Sequence, residues 1–421
     1  MTTVPNPANE QKHADADGPL AGIRVLEMGQ LLAGPFCSHM LAYFGAEVIK
    51  IEPPGRGDPI RSWRALDPDG VSWWWHSLGR NKHSVCINLN DEQGRELARE
   101  LIATTDVLVE NFRPGKMESW GMGPDEMRAV NPGLVYTRVS GYGQDGPYKS
   151  KPGFASACEA IGGFRHVNGF EDRPPVRPNL SIGDTLAGMH AVIGTLMALL
   201  HRQRQPAADG AGDAARGQVV DVSIFESVFN MLESVVPEYS GAGLIRQPSG
   251  STLTGIVPTN TYRCADDKYV VIGGNGDSIF KRLMVAAGRA DLAEDPRLAD
   301  NSGRVTHEAE IDAALNKWAS AHSAQDLLGL LDKAEVPAGP IYAVNDMFED
   351  PHFRARGLFQ SVPVPGGELE VPALHPRLQS TPGGTKWGGE SLGASTDHIL
   401  ESVLGRQAAD IKALRDSGVV G

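Results

Sequence analysis

A strand, a helix and a second strand follow one another without a break in GIRVLEMGQLLAGPFCSHMLAYFGAEVIKIEPP, residues 22–54. IRVLEM reads as a short strand and GQLLAGP as a glycine-containing loop. PFCSHMLAYFG reads as a helix closed by Gly45, a residue type that tolerates the left-handed C-cap conformation. AEVIKIE is the next strand, halted by Pro53 and Pro54, which donate no ladder hydrogen bond. Two strands joined through a helix in this way pair in parallel, with a right-handed crossover. The unit recurs. HSVCINL predicts a strand, DEQGRELARELIATT a helix with Asp91 as N-cap, and DVLVENF a strand. GPDEMRAVNPG is a helix and LVYTRVSGYG a strand. The fold class is therefore α/β, with a doubly wound parallel sheet that binds ligands at the carboxyl ends of its strands.

The pattern changes after two linker-like stretches. RQRQPAADGAGDAARGQ (202–218) reads as a mobile loop between a helix and a strand, and YSGAGLIRQPSGSTLTG (239–255) marks a boundary. Beyond it lie a strand in KYVVIGG, helices in DSIFKRLMVAAG and HEAEIDAALNKWASAH, and a helix, short strand and helix over 326–353. This is a smaller α+β region. STDHILESVLG and AADIKALRDSG predict two closing helices.

A chain of 421 residues exceeds one small core, so two domains are expected. A net charge of −13 disfavours a general nucleic-acid binder, which needs a basic face. Cys37, Cys86, Cys158 and Cys264 are widely spaced, so neither a zinc site nor a disulfide framework is expected, and they read as small buried hydrophobes. The polar segment MTTVPNPANEQKHADADGPL has the composition of a disordered lead-in and no apolar core of a signal sequence. The apolar stretch 191–200 is too short to span a bilayer. A cytoplasmic protein is expected.

One acid stands out in RPNLSIGDTLAGMHAVIGTLMALLHR, residues 177–202. Asp184 follows glycine and precedes a helix that is apolar almost all round, and so is expected to be buried. Its plain role is an N-cap, accepting from the N–H of Leu186 or Ala187. A second role is compatible with the first. A desolvated carboxylate at a helix N-terminus is held as the anion and becomes a better nucleophile. Gly183 and Gly188 leave room for a thioester to approach. Such a nucleophile suits acyl transfer between two carboxylic acids through a mixed anhydride and an aspartyl-CoA thioester, with no metal or redox cofactor.

Seven segments together, in order from about Pro19, resemble the class III CoA-transferases, the CaiB/BaiF-like family of formyl-CoA transferase and carnitine CoA-transferase. They are PLAGIRVLEMGQLLAGPFCSHMLAYFGAEVIKIEPPGRGDPIR, RNKHSVCINL, VLVENFRPG, VYTRVSGYGQDGPY, SIGDTLAGMHAVIGTLMAL, GQVVDVSIFES and VPAGPIYAVNDMFEDPHFRARG. The resemblance implies a Rossmann-like large domain built from both chain ends, a smaller domain between, and a homodimer of interlocked rings. The domains are placed at 1–18 (lead-in), 19–225 (large, CoA-binding), 226–254 (linker), 255–345 (small) and 346–421 (return to the large domain). It also implies that Asp184 is the nucleophile and that CoA thioesters are substrates, with no bound prosthetic group and neither nucleic acid nor membrane as partner.

Other positions follow from the same resemblance. ENFRPG matches a loop beside CoA, making Asn111, Phe112 and Arg113 candidates; RNKHS adds Asn81 and Lys82, and SGYG adds Tyr142. Gln30 and Leu31 open the segment QLLA, where formyl-CoA transferase carries a Gln; here that place is Leu32. Arg56, Arg61 and Arg64 could meet the CoA phosphates. The glycine-run loop over the site has no clean counterpart, SGSTLTG being the nearest. The 2-methylacyl-CoA racemases share the fold and the Asp but pair it with a His; this chain has Phe154 there, and His166 or His190 would have to serve. A CoA-binding paralogue without turnover is the other alternative. GIVPTNTYRCADDKYVVIGGNGDSIFKRLM is most similar to the branch that moves CoA from succinyl-CoA onto small dicarboxylates, whose distal charge makes Arg165, Arg177 and Arg246 candidates.

Overall fold

The computed structural model describes residues 18–204 and 216–421. The expected lead-in, apart from Gly18, and the centre of the 202–218 loop lie outside the described residues. Six strands form one parallel sheet in the order β3-β2-β1-β4-β5-β6. They are β1 (Arg24–Glu27), β2 (Glu47–Glu52), β3 (Lys82–Cys86), β4 (Val107–Glu110), β5 (Val135–Ser140) and β6 (Val219–Ser223). The crossovers carry α1 (Ala33–Tyr43), α2 (Trp73–Leu78), α3 (Glu92–Ala103), α4 (Pro124–Val130), α5 (Ala155–Ile161) and α6 (Ile182–Arg204), and α7 (Ile224–Phe229) follows β6.

Strand residues alternate between two cores, as a sheet covered on both faces requires. Leu26, Ile49, Val85 and Leu108 face α3 and the two closing helices, α11 (Thr396–Ser402) and α12 (Ala408–Asp416). Val25, Val48, Val107 and Val109 face α1 and α6. The expected caps are present. Asp91 accepts from Gln93 N–H at 2.8 Å, and Gly45 is left-handed at φ 101°. The hairpin β10 (Phe359–Val364) and β11 (Gly367–Pro372) is not expected from the sequence, because Pro363 and Pro365 interrupt its strand pattern.

Two compact units divide the chain. The larger comprises residues 1–163, 178–232 and 354–421; the smaller comprises 164–177 and 233–353. The smaller unit has an antiparallel sheet of β7 (Thr259–Arg263), β8 (Tyr269–Gly273) and β9 (Ala338–Pro340). Its own core is closed by α8 (Asp277–Ala286), α9 (Glu308–Ala319) and α10 (Ala324–Lys333).

Helix α6 departs from two expectations. It is not buried all round: Ala187, Ala191, Thr195 and Ala198 lie inward, while Met189, Ile193, Leu196, Met197 and Leu200 form an exposed stripe, Met197 at 64%. Small residues fill the inward stripe because the helix lies close on its neighbours; a Cβ on Gly188 would stand 2.8 Å from Ala33 O. The helix is also longer than the apolar stretch 191–200. By length and composition alone its 23 residues could cross a membrane, although nearly half of its apolar window is buried against the rest of the protein.

Candidate active site

The strand order reverses between β1 and β4, which opens a crevice at their carboxyl ends. Residues from both strands meet there. Asn111, just after β4, bonds the backbone of Gln30 reciprocally: Gln30 N–H donates to Oδ1 and Asn111 Nδ2–H donates to Gln30 O, both at 2.8 Å. A Cβ on Gly29 would come within 2.9 Å of Asn111 Oδ1, so this approach needs glycine. Leu31 is left-handed at φ 65°, and its N–H donates to both Asp58 oxygens at 3.0 and 3.2 Å. The β1–α1 loop is thus held from two sides with its backbone pinned.

A buried charge cluster supports the loop from below. Lys50 Nζ meets Glu27 at 2.5 Å, Asp58 at 2.9 Å and Gly29 O at 2.9 Å. Lys82 Nζ meets Glu27 at 2.8 Å and Pro35 O at 2.7 Å, and Ser38 Oγ–H also donates to Glu27. Burial alone would raise the Glu27 pKa, but the two ammonium groups outweigh it and hold the carboxyl at about 2.

Helix α6 brings Asp184 to the same edge of the sheet. A crossover helix runs antiparallel to its strands, and Arg202 at its far end confirms the direction. Arg202 donates to Gly133 O and to Asp106, both at 2.8 Å, just before β5 and β4. Asp184 is not the N-cap. Ser181 O already accepts Thr185 N–H at 3.1 Å, so helical bonding starts three residues earlier and Asp184 lies in the first turn. Its carboxylate still lies at the positive end of the helix dipole. The N–H of Gly183 is taken by Oε1 of buried Glu159, at 3.1 Å. Gly183 and Gly188 serve packing rather than ligand access, since their Cβ atoms would meet Ile224 and Glu159, and Ala33 and Phe36. Cys158 is buried beside them. Burial, followed by the negative charges of Asp184 and Glu159, pushes its thiol up to about 11, and it donates to Gly141 O at 3.3 Å. It is a structural donor, not a nucleophile.

A cavity of about 380 Å³ opens at the start of α6. Ser181, Ile182, Thr185 and Leu186 form one wall, with Phe36 and Trp74 among the residues opposite; Asp184 is not on its wall. Arg80 and His39 also line it, 3.1 Å apart. Burial and then the Arg80 charge hold His39 well below its ordinary pKa, so the neutral ring accepts from the guanidinium.

The remaining candidates separate into groups. Asn81 and Lys82 are buried and bonded within the protein. Asn81 Oδ1 accepts Lys386 N–H at 2.7 Å and its Nδ2 donates to Gly384 O at 2.8 Å, tying down the C-terminal return. Lys82 is 1% exposed and engaged with Glu27. Arg61 is bound to Glu52 at 2.7 Å and stacks on Trp75, 3.7 Å from the ring centre. Arg56 and Arg113 are exposed, and Arg64 lies over Trp74. Phe112 packs edge-on against Trp120. Tyr142 is buried between Tyr148 and Phe225, and burial raises its phenol pKa. Phe154 is 69% exposed, and the two ring nitrogens of His190 meet Leu186 O and Asn230. Arg165, Arg177 and Arg246 belong to the smaller unit, where Arg246 is engaged by Glu238 at 2.5 Å. Glu27, Asp58 and Glu159 were not singled out in the sequence; the one signal was a lone acid in the otherwise neutral segment ASACEAIGG.

A doubly wound sheet with a pinned loop at its switch point and a first-turn carboxylate beside it defines an α/β enzyme with its site at the strand carboxyl ends. The model of CoA-transferase family III matches residues 20–396, and the chain belongs to that family. It is therefore a class III CoA-transferase. It is 45% identical to the succinyl-CoA–D-citramalate CoA-transferase of Chloroflexus aurantiacus, over 96% of this chain and 98% of that protein. It is 31% identical to the succinyl-CoA:glutarate CoA-transferase of Mus musculus, over 97% and 92%. Among solved structures, a CAIB/BAIF family protein from Brucella suis superimposes with a TM-score of 0.80 at 31% identity, covering 92% of this chain and all of that one.

Proposed function

We propose that the enzyme moves CoA from succinyl-CoA to a small dicarboxylate, with Asp184 as the covalent nucleophile. The observation that carries this reading is a carboxylate in the first turn of α6, at the strand edge where the β1–α1 loop is pinned. A carboxylate oxygen attacks the thioester carbonyl, the C–S bond breaks, and CoA leaves as thiolate from a mixed anhydride. The thiolate then attacks the aspartyl carbonyl and expels succinate, leaving an aspartyl-CoA thioester. The acceptor carboxylate attacks that thioester, giving a second anhydride and the thiolate again. Attack of the thiolate on the acceptor's acyl carbon forms the product and restores Asp184. No net proton moves.

The names of the relatives, which act on citramalate and glutarate, support a dicarboxylate acceptor. Arg165, Arg177 and Arg246 are the proposed contacts for its distal charge. An interlocked homodimer fits the exposed apolar stripe of α6, which a partner would cover. The experiment is to mix protein with succinyl-CoA, quench with hydroxylamine and map peptides by mass spectrometry. A hydroxamate on Asp184 is expected, and Asp184→Ala and Asp184→Asn should lose all transfer while keeping the parent's far-UV circular dichroism. Turnover retained by either variant refutes the covalent role.

A further inference from the structure

A second cavity lies at the opposite end of α1. The active-site loop leads into the first residue of that helix, Ala33, and Tyr43 is its last. At 1.5 Å per residue the two ends are about 15 Å apart. Tyr43 forms part of the wall of a cavity of about 270 Å³, with Gln360, Arg354, Arg356, His375 and Arg377. No carboxylate lines it, in a chain whose net charge is −13. Arg354 is neutralised by Glu370. Arg356 and Arg377 have no ion-pair partner among the described residues, so their charge is uncompensated. The floor is also a donor. Tyr43, 6% exposed, accepts from Gln360 Nε2 at 3.1 Å, and its own O–H has no acceptor among the described residues. Gln360 is fixed in turn by Thr385, and Thr385 by Arg80.

We propose that this cavity is a binding site for a phosphorylated small molecule, distinct from the CoA crevice. Guanidinium groups and a phenol O–H present hydrogen-bond donors without acceptors of matching charge, which suits a compact multivalent oxyanion. A phosphate monoester or diphosphate offers several terminal oxygens and about two negative charges near neutral pH. A single carboxylate offers two oxygens and one charge, and leaves one guanidinium uncompensated. The cavity has room for a diphosphate together with several waters. Leu374 stands between it and the cavity at the start of α6, and Asp184 is on the wall of neither.

The test is isothermal titration of the full chain with inorganic pyrophosphate at low salt, alone and with saturating CoA. It is repeated on Arg356→Gln/Arg377→Gln and on each single variant. One site per chain is expected, unchanged by CoA and weakened at least tenfold in the double variant. Both arginines are exposed, so the variants should keep the parent's circular dichroism and transferase turnover. If the double variant does not fold, each single variant must still weaken binding at least threefold. The proposal is overturned if the parent gives no saturable heat, if CoA displaces pyrophosphate, or if the variants bind as tightly as the parent. Glutarate binding as tightly as pyrophosphate overturns the phosphoryl assignment.

Discussion

Lys82→Met separates a ligand contact from a structural charge. Lys82 belongs to a buried set of two cations and two anions, Lys50 and Lys82 against Glu27 and Asp58, each 1% exposed or less. The set is neutral, and Met keeps the length of the side chain while removing one charge. Glu27 loses its 2.8 Å partner and Pro35 O loses a donor. Breaking a buried pair from one side costs about 3–5 kcal/mol, because the remaining charge stays uncompensated. In a unit of roughly 290 residues, at about 2.1 cal/mol/K per residue, that lowers the transition by about 5–8 °C. Adding Glu27→Gln should recover at least about 1 kcal/mol, since Lys50 and Asp58 then remain as a neutral pair. The assays are thermal melting of the three proteins and the KM for succinyl-CoA measured well below the transition. A KM within about twofold of the parent is expected for Lys82→Met, because the ammonium is buried and bonded to Glu27 and Pro35 O. A melting transition that does not move, with a KM raised tenfold, refutes the structural reading and puts Lys82 on CoA.

The other predictions concern the same loop and helix. The native Glu27 carboxyl, at about 2, lies below its ordinary 4.5, so its stabilisation is complete above about pH 4.5 and is lost as pH falls toward 2. That is about 3 kcal/mol, visible as a falling urea midpoint between pH 5 and 2, and the fall should flatten in Glu27→Gln. Asn111→Leu removes both bonds to Gln30, which should cost about 1–3 kcal/mol and lower kcat/KM for the acyl-CoA at least tenfold; Asn111→Asp, which keeps only the acceptor, should fall between. Glu159→Gln still accepts the Gly183 N–H and should keep the parent's kcat. Glu159→Ala leaves that N–H unbonded, and should lower kcat with KM unchanged as Asp184 loses its placement. Equal kcat in the two Glu159 variants counts against a positioning role.

Local pattern carries far in this chain, because the parallel α/β fold writes each element as a short run with its own stop signal. The helix before Gly45, the strand before Pro53 and the helix after Asp91 are readable since their caps and breakers are adjacent in sequence. Asp184 was legible for the same reason, as an acid placed where an apolar helix begins. Its exact station was not. Helix starts differ by a turn at little local cost, and here Ser181 accepts the first bond while Glu159 takes the Gly183 N–H.

What only the tertiary structure decided is the job of each polar residue near the crevice. Asn111, Asn81 and Lys82 all sit in motif-like segments, yet their partners are 81, 305 and 55 residues away. Asn111 meets Gln30 because β4 lies beside β1, and Lys82 meets Glu27 because β3 and β1 flank β2. Chain distance does not encode those neighbours; strand order does. The sequence by itself determined the elements and the helix that carries Asp184, since helix and strand formation are local. Which charges end as buried supports depended on the sheet's order, because a charge is buried where the fold brings it an opposite charge, as at Lys82, or a full set of acceptors, as at Arg80.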